Sequence, residues 1–125
     1  MENKMIKGYV IPSICLVLIG CSAPIDFLPN KLPDAYLNQP YQANIEITGG
    51  AVSDMTFYTK FSDSSFKITP SIAEGGYKDY NLLTVTGVPT TLEPVSVYIA
   101  GSTYGTNFPG KDFEHEYTIE VKANK

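Results

Sequence analysis

The stretch YQANIEI, residues 41–47, alternates without a break: Tyr41, Ala43, Ile45 and Ile47 fall on one side, and Gln42, Asn44 and Glu46 on the other. Successive side chains of an extended strand point to opposite faces, so a period of two marks a strand with one face buried and one in water. The pattern recurs along the chain. MTFYTKF, residues 55–61, puts Met55, Phe57 and Phe61 on one side, and PVSVYIA, residues 94–100, aligns Val95, Val97 and Ile99. FEHEYTIEVK, residues 113–122, sets Phe113, His115, Tyr117, Ile119 and Val121 against Glu114, Glu116, Thr118, Glu120 and Lys122. A helix would bring apolar residues back every three or four positions, and no window shows that stripe.

Turn formers separate these runs: Gly49-Gly50, Asp63-Ser64-Ser65, Gly75-Gly76, Gly87 with Pro89, Gly101, Gly105 and Pro109-Gly110. Short alternating strands divided in this way predict an all-β fold, an antiparallel sandwich of the immunoglobulin-like size of roughly 100 residues. The chain has 125 residues, room for one domain, with 43% hydrophobic and 18% charged residues, a mix suited to a folded core. Net charge is −4, arginine is absent and the nine lysines are scattered. Nucleic acid requires a basic stripe to displace condensed counterions, so it is excluded as an expected partner. Attachment to anionic lipid by charge is disfavoured on the same ground.

The amino-terminal segment is of another kind. Lys4 and Lys7 precede an apolar stretch over residues 9–19, interrupted by Pro12 and Ser13. This is about half of the roughly 20 apolar residues that a spanning helix needs. The order of charged start, apolar middle and small-residue end matches an export signal better than the alternative, a buried strand or core helix of a cytosolic domain. Leu18-Ile19-Gly20-Cys21 resembles the lipobox of bacterial lipoproteins. The resemblance implies a diacylglyceryl group on the Cys21 sulfur, cleavage between Gly20 and Cys21, and a chain held in the bacterial envelope by lipid. A thiolate is the side-chain nucleophile suited to accept such a group. In lipoproteins of this type from Gram-negative cells, Ser22 directly after the cysteine implies the outer membrane. With Cys15 in the signal and Cys21 lipidated, the exported part is expected to carry no disulfide.

Residues 22–31, SAPIDFLPNK, hold Pro24 and Pro29 and read as a tether, about ten residues at roughly 3.1 Å each. Ile25, Phe27 and Leu28 leave open that part of it packs as a first strand. The domain organisation is thus a signal peptide over 1–20, a tether over 21–31 and a sandwich domain over 32–125. Within the last, LPDAYLNQPYQANIEITGG, residues 32–50, is similar to the opening of bacterial Ig-like domains of cell-surface proteins. LLTVTGVPTTLEPVSVYIAG, residues 82–101, is similar to their turn and Val-rich strand, and HEYTIEVK, residues 115–122, to their closing strand. Asn38 stands where that pattern has Gly. The resemblance implies an Ig-like fold after the lipoprotein signal.

Residues able to do chemistry are few. His115, the one histidine, alternates inward with Phe113 and Tyr117 and reads as a hydrogen-bonded strand histidine in place of a base. Ser64 and Ser65 sit in a turn without a nucleophile-elbow pattern. Asp112, Glu114 and Glu116 share a strand face, but alternate carboxylates about 7 Å apart do not converge on one ion, so no metal or cofactor is expected. The chain is therefore expected not to be an enzyme. Nine tyrosines and six phenylalanines with no tryptophan are the remaining peculiarity. Phe57, Phe61, Phe66 and Tyr41 fit core positions, which leaves Tyr58, Tyr98 and Tyr104 outward as a candidate surface for a protein or glycan partner. The expected function is a membrane-anchored, non-catalytic binding or structural module of the envelope. The alternative is a small lipoprotein that neutralises an envelope-acting toxin or enzyme.

Overall fold

A computed structural model describes residues 24–105 and 110–125. The proposed signal peptide, the lipobox and Ser22 lie outside the described residues. Within them the chain is all-β, with nine strands: β1 Asp26–Leu28, β2 Ala35–Tyr36, β3 Tyr41–Thr48, β4 Tyr58–Phe61, β5 Lys67–Ile72, β6 Lys78–Gly87, β7 Val95–Ser102, β8 Asp112–Ile119 and β9 Val121–Lys122. Among the described residues no helix is long and apolar enough to cross a membrane.

Three sheets form. A four-stranded antiparallel sheet has the order β1-β3-β6-β5, a three-stranded one the order β4-β7-β8, and β2 pairs with β9 in parallel. The alternation over residues 41–47 appears in β3 as strict burial of Tyr41, Ala43, Ile45 and Ile47. Their inward face meets Leu83 and Val85 of β6, Val95, Val97 and Ile99 of β7, and Tyr117 and Ile119 of β8 in one hydrophobic core. Two sheets sharing a single core make a sandwich-like architecture.

Four sequence expectations need correction. The boundary between tether and domain falls earlier than residue 32. Asp26–Leu28 pairs with β3 from Asp26↔Thr48 to Leu28↔Glu46. Phe27 is buried because its ring stacks on His115 at 4.5 Å and meets Phe113 edge-on at 5.6 Å. The hydroxyls of Tyr117 and Tyr41 donate to the carbonyls of Pro29 and Pro33, at 2.8 and 2.7 Å, and fasten the segment further.

Second, Met55 is 85% exposed, not inward. It lies in a turn whose backbone N–H donates to Ser53 Oγ, so β4 begins only at Tyr58. Third, the closing strand is not continuous. Side-chain alternation runs on through Ile119 and Val121, but the pairing partner changes from β7 to β2, with Glu120 O accepting from Ala35 N–H. Fourth, His115 Nε2 is buried without a hydrogen-bond partner among the described residues. The ring packs as an aromatic, stacked on Phe27 and edge-to-face with Tyr117.

The strand directions define two ends. One end gathers the start of β1, the end of β3, the β5–β6 hairpin and the β7–β8 connection, through the pairs Asp26↔Thr48, Ile72↔Lys78 and Ser102↔Asp112. Gly49 takes φ 102° there, and a Cβ on it would strike the Pro24 carbonyl, so the chain enters the sandwich hard against the turn after β3. The opposite end holds Tyr41↔Gly87, Val95↔Ile119, β9 and the carboxyl-terminal residues.

Candidate functional site

The outward face of β4-β7-β8 brings together two of the three tyrosines singled out above. On β4 and β7 the register sets Tyr58 opposite Ala100 and Lys60 opposite Tyr98, which makes the tyrosines diagonal neighbours. Their ring centroids stand 6.3 Å apart, edge to face at 68°. Aromatic rings favour this geometry because the positive edge of one meets the negative face of the other. Tyr58 remains 54% exposed.

Beside the pair runs an acidic ladder from β8. The Tyr98 hydroxyl donates to Glu114 Oε2 at 2.9 Å, and Ser96 Oγ donates to Glu116 Oε2 at 3.1 Å. That hydrogen bond to a carboxylate stabilises the protonated phenol and raises the Tyr98 pKa above its ordinary value. A shallow groove of about 420 Å³ is lined by Lys60, Phe61, Ser62, Ser96, Tyr98 and Glu116. A second depression of about 390 Å³ shares Tyr98 and Glu116 with it. The face therefore offers aromatic edges, two carboxylates and one amine over an open surface. It is equipped for stacking and hydrogen bonding.

Tyr104 is elsewhere. It follows β7 at the end where the chain enters, its hydroxyl donating to Asp54 Oδ1 at 2.7 Å and its N–H to Ala51 O at 2.9 Å. Ser65 is structural: its N–H donates to Asp63 Oδ1 and its hydroxyl to Val88 O, tying two loops together. Among the described residues, no group of three or more His, Cys, Asp or Glu side chains is arranged to hold a metal ion.

A further depression, about 510 Å³, lies on the outward face of the four-stranded sheet. Leu28 and Leu82 flank Glu46 there by register, each 45% exposed. Sequence reasoning missed it because Leu28 stood in the supposed tether. The outward alternation of β3 around Glu46 was the available signal.

No protein-family model and no curated protein matches this chain. Among solved structures it is similar to the crystal structure of domains 4 and 5 of the S-layer protein SbsC, with 11% sequence identity and a TM-score of 0.48. The match covers 82% of this chain and 53% of that one, so the chain spans about half the length of that neighbour.

Proposed function

We propose that the chain is a lipid-anchored, non-catalytic Ig-like module of the bacterial envelope, probing a protein or glycan partner with the outward face of β4-β7-β8. The topology supports the Ig-like reading. Lettering β1, β3, β6 and β5 as A, B, E and D, and β4, β7 and β8 as C, F and G, reproduces the ABED and CFG sheets of constant-type immunoglobulin domains. Anchoring rests on Leu18-Ile19-Gly20-Cys21. Two acyl chains hold a protein far more firmly than the marginal, reversible attachment that one chain provides.

The observation that carries the binding role is the Tyr58–Tyr98 pair, Tyr58 exposed and Tyr98 half-buried, beside Glu114 and Glu116. Interface hot spots are enriched in tyrosine, which supplies a large contact area at a small entropy cost. The test captures envelope components on the lipidated full chain and on a Tyr58→Ala/Tyr98→Ala variant. A component retained by the first and lost by the second is expected; equal capture by both removes this face from the proposal. Labelling with palmitate checks the anchor separately, since label persisting in Cys21→Ser would exclude it.

A further inference from the structure

The three most exposed of the large apolar side chains share one end of the molecule with Tyr104, while Leu92, 55% exposed, and Val88, 39%, lie at the other. Met55 is 85% exposed, Tyr77 74%, Ile72 64% and Tyr104 54%. All four lie at the end of the sandwich where the chain enters: Met55 in the β3–β4 connection, Ile72 and Tyr77 at the β5–β6 hairpin, and Tyr104 just after β7. The Tyr104–Asp54 hydrogen bond and the Val52↔Thr103 bridge join two of these connections.

Covalent geometry makes the position meaningful. Cys21 precedes Pro24 by three residues, and a fully extended chain covers at most about 3.6 Å per residue, so its sulfur is confined to roughly a dozen ångströms from the Pro24 backbone. Because β1 starts at Asp26, residues from there onward belong to the domain and not to the tether.

We propose that this end of the domain rests on the lipid bilayer, with Met55, Ile72, Tyr77 and Tyr104 seated in the interfacial layer. The proposal deepens the functional reading above and rests on lipidation of Cys21. Tyrosine suits the position because its ring tolerates the acyl boundary while its hydroxyl stays hydrated. Charge does not drive the contact. The carboxylates of Asp26, Asp54, Glu74, Asp79 and Asp112 outnumber the amines of Lys78 and Lys111 at this end, so the surface fits a zwitterionic layer and not an anionic one. Seated in this way, the domain presents β9 and the carboxyl terminus away from the membrane and leaves the Tyr98 face at its side.

The experiment uses the lipidated full chain reconstituted into phosphatidylcholine vesicles, with an environment-sensitive fluorophore on Met55→Cys, Tyr77→Cys or, at the opposite end, Leu92→Cys. Mass spectrometry of the amino-terminal peptide reads the acyl chains independently. With Cys21 acylated, emission from positions 55 and 77 should shift to the blue, respond to quenchers carried on lipid and lose its response to iodide. Position 92 should do none of these. Acylated protein whose positions 55 and 77 stay as open to iodide as position 92 overturns the seating while leaving the anchor intact. A bare Cys21 overturns the anchor and the seating together. Shielding that persists in detergent, without vesicles, assigns this end to a second copy or a protein partner and overturns the proposal.

Discussion

Asn38 adopts φ 61°, the third residue of a turn closed by the Gln39 N–H donating to Tyr36 O at 3.0 Å. A positive φ at that position favours Gly or Asn, which accounts for the Asn at this turn. Asn38→Ala should cost about 1 kcal/mol in a urea titration, while Asn38→Gly should be close to neutral. Tyr41 and Tyr117 carry a different constraint. Burial, with lesser contributions from the charges of Asp34 and Asp26, pushes each phenol up to about 12 from 10.0. The folded state therefore holds these protons more tightly than the unfolded chain. Their stabilisation is fully present below about pH 10 and declines as pH rises from there towards 12, because only the unfolded state ionises in that window. Urea midpoints should be level up to about pH 10 and fall above it. Tyr117→Phe should cost about 1 kcal/mol at neutral pH through loss of the bond to Pro29 O, and should make the alkaline fall shallower.

Three residues make up β1, too few to display a period, so nothing in its own pattern separates a strand from a tether. What decides is the neighbour each side chain finds. Phe27 is buried among Phe113, His115 and Tyr117, whereas Leu28 is 45% exposed. Phe27→Ala should lower stability by about 3 kcal/mol and Leu28→Ala by well under half of that; equal, small effects in urea melts would return the segment to a tether. The longer strands β3, β7 and β8 were legible because burial alternates from residue to residue along most of their length. The β5–β6 hairpin was not. Pro70 interrupts β5 at the sheet edge, and the register jumps from Pro70↔Leu83 to Ser71↔Asp79, leaving Tyr80, Asn81 and Leu82 extra on β6. That bulge frees Asn81 to donate to Ile47 O and Gly50 O and to accept from Val52 N–H, bonds that no local pattern announces. The Tyr58–Tyr98 pair was hidden for a related reason. Each tyrosine could be read as outward, but their proximity depends on the β4–β7 register, which neither strand's sequence contains.

At the scale of the molecule, the folded part from Pro24 onward contains no cysteine, since Cys15 and Cys21 both precede it. Small exported domains often gain several kcal/mol from a disulfide that restricts the unfolded chain, a contribution this domain lacks. Its cohesion comes from the core between the sheets, where Val85, Val97, Ile99 and Ile119 are completely buried. Ile99 lies on β7, the central strand of its sheet, and faces the core opposite β3 and β6. Two results should accompany one another in thermal melts followed by circular dichroism. Adding reductant should leave the midpoint unchanged, because no cross-link within the domain is available to break. Ile99→Ala should remove about 3–4 kcal/mol, a large part of what holds a domain of this size together, and should lower the midpoint of the whole transition instead of loosening one sheet. A midpoint that dropped with reductant would mean that a thiol outside the domain reinforces the fold. A variant whose three-stranded sheet melted ahead of the four-stranded one would mean that the two do not share a single cooperative core.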